Sequence, residues 1–144
     1  MNEDFVPFEL AVKLKEKGFR EECLCHYIGE DLIYNIKSPI ANNQLWFCHN
    51  KYDNIWHRDN VDAPTISQVL KWLRKEKKIH VEPCMLANVN TDAEGKVINE
   101  YVYWSFNVKN IESGGIIYVE YDKRFNSYEQ AVLTSIKCVL DNLI

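Results

Sequence analysis

The chain lacks the short motifs by which familiar enzyme classes are identified. Its 144 residues contain no Gly-x-Ser-x-Gly nucleophile elbow, no Walker loop, no Gly-x-Gly-x-x-Gly turn and no His-Glu-x-x-His pair. Acidic residues are plentiful, but no spacing among them picks out a pair of catalytic carboxylates. These absences favour a protein that is not an enzyme of familiar type. We therefore predict no catalytic residue and no cofactor.

The sequence also lacks a long apolar segment. No run approaches the roughly 20 residues that a membrane-spanning helix needs. The first five residues, Met-Asn-Glu-Asp-Phe, are acidic where a secretory signal peptide would be basic. The formal net charge of −4 is spread along the chain, which gives no overall attraction to nucleic acid or to an anionic membrane. We expect a cytoplasmic protein with no membrane partner.

Disulfide scaffolds are excluded by the small number of cysteines. The chain has five, at positions 23, 25, 48, 84 and 138. An odd and sparse set does not form the framework of a small secreted domain. The sequence therefore predicts reduced thiols, as expected in a cytoplasm.

A zinc site is the most tempting use of these cysteines. Cys23-x-Cys25-His26 supplies ligands that zinc prefers, as does Cys48-His49. In an extended strand the first two cysteines would point the same way with Cα atoms ~6.6 Å apart, since each residue rises ~3.3 Å. The histidine that follows them would then face the opposite side. Structural zinc sites usually draw their cysteines from a turn with two to four intervening residues. We predict buried, inert thiols and no metal site.

A cysteine hydrolase has even less support. Neighbouring residues in a strand point to opposite faces, so neither Cys25-His26 nor Cys48-His49 forms a nucleophile–base pair by itself. A pair assembled across the fold, such as Cys48 with His57, stays open. A metal- or cysteine-dependent enzyme is therefore the third functional hypothesis.

Three helices are predicted by apolar periodicity and by helix-start signals. The first covers roughly residues 7–17, with Gly18 as its stop. The second starts near Thr65 and the third near Ser127. Each of these two positions opens a capping box, with a glutamine three residues later.

The strands are predicted to be antiparallel. Residues 23–36 read as a hairpin around Gly29-Glu30, and residues 44–49 as a short strand. Residues 79–90, 97–108 and 116–121 read as a three-stranded meander. Residues 50–62 are predicted to form a loop that is either mobile or functional. The expected fold is α+β, a single domain over residues 1–144, in which three helices cover one antiparallel sheet made of the hairpin and the meander.

Three segments of the chain carry a resemblance. Phe-Glu-Leu-Ala-x-x-Leu-Lys-Glu-Lys-Gly-Phe (8–19), Ala-Pro-Thr-Ile-x-x-Val-Leu-Lys-Trp-Leu-Arg (63–74) and Ser-Tyr-Glu-x-Ala (127–131) resemble small uncharacterised proteins from phages and mobile elements of gut bacteria. These segments cover about a fifth of the chain. The resemblance implies a biological setting only, with no activity, cofactor or site residue.

The end of the second helix is the one feature that favours nucleic-acid binding. It carries five basic residues and a tryptophan: Lys71, Trp72, Arg74, Lys75, Lys77 and Lys78. The cations could meet phosphates and the indole could stack on a base. Alternatively, they are a solvated helix end whose cations offset the helix dipole. The acidic net charge and the absence of a recognised DNA- or RNA-binding motif favour this second interpretation.

An aromatic strand offers a different surface, one that suits a protein partner. In residues 101–106, alternation places Val102, Trp104 and Phe106 on one face, which we expect to be core. The other face presents Tyr101 and Tyr103, joined by Tyr118 from the next strand. Tyrosines are enriched at protein interfaces, but they are also good strand formers, and a purely structural use is favoured.

The sequence thus supports three functional hypotheses in a definite order. The first is a non-enzymatic accessory protein that contacts another protein. The second is a nucleic-acid-binding protein that uses the basic end of the second helix. The third is the metal- or cysteine-dependent enzyme. The sequence does not identify the partner.

Overall fold

The computed structural model describes residues 5–34, 36–38, 44–46 and 60–144. The chain divides into two compact units, Met1–Trp72 with Leu140–Ile144, and Leu73–Val139. We call them unit 1 and unit 2. The prediction of one domain over residues 1–144 stays a prediction.

The described residues form three helices and three antiparallel sheets, which confirms the α+β class. The helices are α1 (Phe8–Glu16), α2 (Ile66–Glu76) and α3 (Tyr128–Asn142). The strands are β1 (Cys25–Ile28), β2 (Asp31–Tyr34), β3 (Ile36–Ser38), β4 (Gln44–Trp46), β5 (Asn60–Ala63), β6 (Ile79–Thr91), β7 (Val97–Asn110) and β8 (Ile116–Phe125). None of the helices in this part of the chain has the length and hydropathy to span a membrane.

The hairpin of unit 1 forms around the predicted turn. Gly29 has φ +60°, a conformation that glycine adopts without strain, and β1 and β2 pair from Ile28 and Asp31 onward. A third strand, β5, pairs with the other edge of β1. Residues 60–62 were predicted to be loop, and this was wrong. Four residues that include an asparagine and an aspartate give no local strand signal, and only the pairing with β1 defines them.

A second, two-stranded sheet of unit 1 joins β3 to β4, with Ile36 opposite Trp46. The strand predicted over residues 44–49 is therefore present as far as Trp46. Residues 47–49, and residues 50–59 of the predicted loop, lie outside the described part of the chain.

Helix α1 and its C-terminal stop build much of the core of unit 1. Leu10, Ala11 and Leu14 are buried, as the apolar stripe predicts. Gly18 has φ +91°, and this left-handed turn lets the Phe19 N–H donate to the Leu14 carbonyl at 2.9 Å. The helix therefore ends where the glycine predicts, and the phenylalanine that follows is fully buried.

Unit 2 contains the predicted meander, in the sheet order β6-β7-β8. The tight connection between β6 and β7 is held by Asp92, whose Oδ1 accepts from the N–H groups of Glu94 and Lys96 at 3.0 and 2.8 Å. The expectation of one sheet shared by hairpin and meander was wrong. In the described residues the edge of β1 is occupied by β5, so the two motifs belong to different sheets. Local alternation predicts strands but not which edges join.

Burial changes along the β6–β7 pair. We call residues 79–83 with 105–110 its proximal half, and residues 85–91 with 97–103 its distal half. In the proximal half the side chains from Ser105 to Val108 are buried on both faces of β7, whereas residues 97–102 are exposed on both. The expectation that Val102 lies in the core was therefore wrong, since it is 56% exposed, while Phe106 is 1% exposed. The hairpin extends well beyond the hydrophobic core that anchors it.

Both predicted capping boxes are confirmed as helix starts. At α2, Thr65 N donates to Gln68 Oε1 at 3.0 Å, and Gln68 N donates to Thr65 Oγ1 at 3.2 Å. At α3, Gln130 N donates to Ser127 Oγ at 3.2 Å. The glutamine side chain there accepts from Asn126 N rather than from the serine N–H. Each hydroxyl satisfies one backbone donor that the helix leaves unpaired.

We predict that Ser127→Ala lowers the free energy of unfolding by about 1 kcal/mol, the usual cost of removing an N-cap hydroxyl. The measurement is chemical denaturation followed by circular dichroism. Ser67→Ala is the matched control, because this serine is exposed in the first turn of α2 and alanine is the better helix former. An unchanged midpoint in Ser127→Ala would show that the cap contributes nothing to α3.

Candidate functional site

The basic end of α2 is largely solvent-exposed. Four of its five cations are exposed and the fifth, Lys77, is half-buried. Lys75 Nζ lies 3.3 Å from Glu76 Oε1, an ion pair between exposed groups that contributes little to stability. The remaining exposed members of the predicted set are Lys71, Arg74 and Lys78. These side chains are positioned for solvent or for a polyanion.

Trp72 is not available to stack on a base. Its side chain is 5% exposed, and its ring lies edge-on to Phe19 with 5.5 Å between centroids. The hypothesis that this indole reads a nucleic acid is therefore corrected, because the ring is part of the core of unit 1. Helical periodicity places position 72 beside the apolar stripe. Because tryptophan is amphipathic, its side chain at that position fits the helix surface and the core equally well.

The two N-terminal cysteines are buried within unit 1. Cys23 and Cys25 are at most 1% exposed, and Cys23 Sγ donates to the Glu21 carbonyl at 3.5 Å. Burial raises the pKa of both thiols, and the nearby Asp62 carboxylate raises that of Cys23 further. Both thiols are therefore protonated and poor as nucleophiles or metal ligands.

His26 is the one other member of the predicted metal and dyad clusters that the structure describes, and it is not brought to these thiols. His26 lies opposite Asp62 in the β1–β5 register, and strand alternation sends its side chain to the opposite face from that of Cys25. Within the described ranges no group of three potential metal ligands is found. Cys48, His49 and His57 lie outside the described residues.

In the described part of the chain, the tyrosine face of β7 carries a group of exposed side chains that contact one another. Tyr101 is 42% exposed, and its hydroxyl accepts from Asn88 Nδ2 at 3.0 Å and from Arg124 Nη1. The guanidinium carbon of Arg124 lies 5.5 Å from the Tyr101 ring centroid and 4.9 Å from that of Tyr103. We call these four residues the tyrosine–arginine surface.

Strand register places these side chains together. Asn88 is the cross-strand partner of Tyr101, so both lie on one face of the β6–β7 hairpin. Phe125 pairs with Trp104, which puts the preceding residue, Arg124, on the same face as Tyr103. Sequence reasoning missed this arginine because it ended the third strand of the meander at Tyr121. Sequence reasoning also missed Asn88, because only the β6–β7 register shows that it lies opposite Tyr101.

Tyr118 does not join the tyrosine–arginine surface, contrary to expectation. It lies opposite Val108 in the β7–β8 ladder. Its ring stacks on Phe106, with 6.1 Å between centroids and 14° between planes. Because Phe106 and Tyr103 differ by an odd number of positions, their side chains occupy opposite faces of β7. The predicted cluster of three tyrosines is therefore a cluster of two.

A polar patch continues along the same face into the proximal half. Lys109 Nζ lies 2.6 Å from Glu82 Oε2, and Asn107 Nδ2 lies 3.7 Å from Cys84 Sγ. Burial raises the pKa of the Cys84 thiol, which keeps it protonated. A protonated thiol is a poor nucleophile, so the patch holds no activated cysteine.

The contacts within the tyrosine–arginine surface also shift the pKa of Tyr101. The hydrogen bond from Asn88, followed by that from Arg124, lowers the pKa of Tyr101 below its ordinary value, because both stabilise the phenolate. The guanidinium charge acts in the same direction. The phenol is thus an acceptor for two donors, which suits a fixed binding surface.

Comparison with known proteins supplies no relative. No protein-family model, no curated protein and no solved structure matches the chain. The interpretation of the site therefore depends on its geometry.

We predict that Arg124→Leu raises the pKa of Tyr101 toward its ordinary value, because the variant loses one phenol donor and one neighbouring positive charge. The measurement is a pH titration of Cζ-labelled tyrosine by NMR, with the signal assigned by Tyr101→Phe. Lys123→Leu is the matched control, since it removes a cation from the neighbouring position on the opposite face of β8. An identical Tyr101 titration in wild type and Arg124→Leu would contradict the contact.

Proposed function

We propose that the protein is a non-enzymatic accessory protein that binds another protein through the tyrosine–arginine surface. The observation that carries this proposal is the exposed guanidinium of Arg124 held against the rings of Tyr101 and Tyr103. Tyrosine and arginine are enriched among the residues that dominate binding energy at protein interfaces. We further propose a phage or mobile-element setting for the partner, which is what the resemblance of the three sequence segments implies.

Preorganisation supports the proposal. A long arginine side chain normally loses conformational entropy on binding, but here ring contacts and the bond to the Tyr101 hydroxyl already restrict Arg124. A guanidinium carries five N–H donors in a fixed fork, more than one phenol can accept. The surface therefore suits a partner loop that presents carboxylate or carbonyl oxygens, with the tyrosine rings supplying apolar contact area.

Nucleic-acid binding through the basic end of α2 remains the alternative. The exposed cations support it. Two observations weigh against it: Trp72 is buried, which leaves the helix end without a stacking ring, and the net charge is −4. The metal- or cysteine-dependent enzyme stays third, because burial raises the thiol pKa values of Cys23, Cys25 and Cys84.

We predict that a photo-crosslinking amino acid at Tyr103 captures one discrete host protein in cells, whereas the same amino acid at Tyr128 does not. Tyr128 is the matched position, an exposed tyrosine on α3. The captured protein is then purified and its affinity measured. Arg124→Glu should weaken binding at least tenfold, the loss expected of a residue worth about 1.4 kcal/mol or more at an interface. Lys123→Glu should change it little. Equal loss in both variants would contradict the proposal.

The alternative is tested by fluorescence anisotropy of DNA and RNA probes at low and physiological salt. We expect negligible binding at physiological salt, because few phosphates would be neutralised by an acidic protein. Phosphate binding would instead show a log–log salt slope near −0.9 per neutralised phosphate on duplex DNA. Tight binding at physiological salt that the Lys75→Glu/Lys78→Glu double variant abolishes would favour the nucleic-acid hypothesis and contradict ours.

A further inference from the structure

The outer edge of β6 has backbone groups that point away from its sheet. In the described residues β6 is the edge strand of the order β6-β7-β8. Pro83 pairs with Phe106 inside an uninterrupted ladder although proline has no N–H. The backbone of Pro83 must therefore face outward, as prolines in edge strands do. By alternation, the N–H and C=O groups of Met85, Ala87 and Val89 also face outward.

Beyond Pro83, this edge lacks the charged side chains by which proteins often block unwanted strand pairing. Residues 83–91 contain no charged side chain. Natural edge strands are commonly protected by charges, prolines, bulges or short length, and within residues 83–91 of β6 these are limited to Pro83 at the start of the segment and the register shift after Asn90 at its end. The distal part of β7, which β8 does not pair with, carries Glu100. The two edges of the distal hairpin thus differ, and only the β6 edge is uncharged.

The side chains on the outward-facing residues are apolar and exposed. Met85 is 63% exposed and Val89 is 47% exposed, and the smaller Ala87 between them is also exposed. They share one face of the hairpin with Val102, the cross-strand partner of Ala87. A strand that docked on this edge would bring apolar side chains beside Met85 and Val89.

We propose that the β6 edge pairs with the β6 edge of a second copy of this chain, antiparallel and centred on Ala87. In that register Ala87 faces Ala87 of the second copy, and Met85 faces Val89 of the second copy. Pro83 and Thr91 lie four positions on either side of the centre. The ladder therefore ends at the missing N–H of Pro83, before the charged residues Glu82 and Asp92.

Symmetry favours a second copy as the occupant. An interface with two-fold symmetry uses the same patch on both subunits, so residue i meets j and j meets i. An antiparallel strand meets this condition, because each outward N–H faces an outward C=O of the identical strand. The central alanine is small enough to face itself, and the methionine and valine on either side complement one another.

Edge pairing is also compatible with the one charge on the apolar face of the distal half of the hairpin. Glu100 lies on that face, opposite Val89 in the β6–β7 ladder. Face-to-face stacking of two hairpins would enclose it, and burying an unpaired carboxylate is costly. Edge-to-edge pairing leaves Glu100 one strand away from the contact and in solvent. The tyrosine–arginine surface is on the opposite face of the hairpin.

The test is sedimentation velocity of the full chain over a series of concentrations up to about 1 mM. We expect a reversible monomer–dimer equilibrium in the wild type. Ala87→Pro should weaken dimerisation at least tenfold, because it removes the central donor from both copies. We expect Ala87→Pro to fold, because Pro83 is already an outward-facing proline in β6. Circular dichroism of the variant checks this. Val102→Lys is the matched control, with a charge on the same face one strand away, and should change the dimerisation constant less than twofold.

A charge pair at residue 87 tests the two-fold axis itself. Ala87→Lys and Ala87→Glu should each be monomeric, because like charges face one another at the centre, and an equimolar mixture should dimerise. A wild type that is monomeric throughout the series would overturn the proposal. Equal weakening by Val102→Lys would overturn edge pairing in favour of face stacking. Failure of the mixture to dimerise would overturn the register.

Discussion

The antiparallel ladder between β6 and β7 is the constraint on which the rest of unit 2 depends. It runs in one register from Ile79 opposite Asn110 to Asn90 opposite Asn99, and the register then shifts so that Thr91 lies opposite Val97. Because side chains alternate strictly between faces, a slip of one residue would exchange the two faces of one strand. The proximal half fixes the register, since Phe106 and Val108 must be buried and are at most 1% exposed. The distal half inherits that register as far as Asn90.

As a consequence, the two faces of the β6–β7 hairpin differ in character, and its distal half extends beyond the hydrophobic core. A two-stranded hairpin in water is at best marginally stable by itself. Cross-strand bonds hold the distal half together on its polar face, where Asn88 donates to Tyr101 and Asn90 Nδ2 donates to Asn99 Oδ1 at 2.7 Å. Its other face is apolar and exposed. The same register therefore produces both the tyrosine–arginine surface and the uncharged outer edge of β6.

The sequence predicts local features of this fold well. The starts of α2 and α3 follow from capping boxes, and the end of α1 follows from Gly18, because each signal acts within one helical turn. Non-local features were not predicted. β5 exists through its pairing with β1, and the separation of hairpin and meander into two sheets depends on which edges meet.

The candidate site also divides into local features that the sequence predicts and non-local features that it does not. Alternation correctly placed Tyr101 and Tyr103 on one face, since that rule needs only the strand itself. Arg124, Asn88 and the true position of Tyr118 depend on registers between strands that are far apart in sequence. Amphipathic residues are the hardest case. Trp72 fits a helix surface and a core equally well by pattern, and only packing against Phe19 assigns it to the core.

Amide hydrogen exchange resolved by NMR tests the β6–β7 register most directly. At low protein concentration, the amides of Cys84, Leu86, Asn88 and Asn90 face β7 and should exchange slowly. The amides of Met85, Ala87 and Val89 face outward and should exchange fast. This alternation is what the register predicts for an edge strand anchored by Pro83. Uniformly fast exchange across residues 84–90, or slow exchange at the odd positions and fast exchange at the even ones, would contradict it.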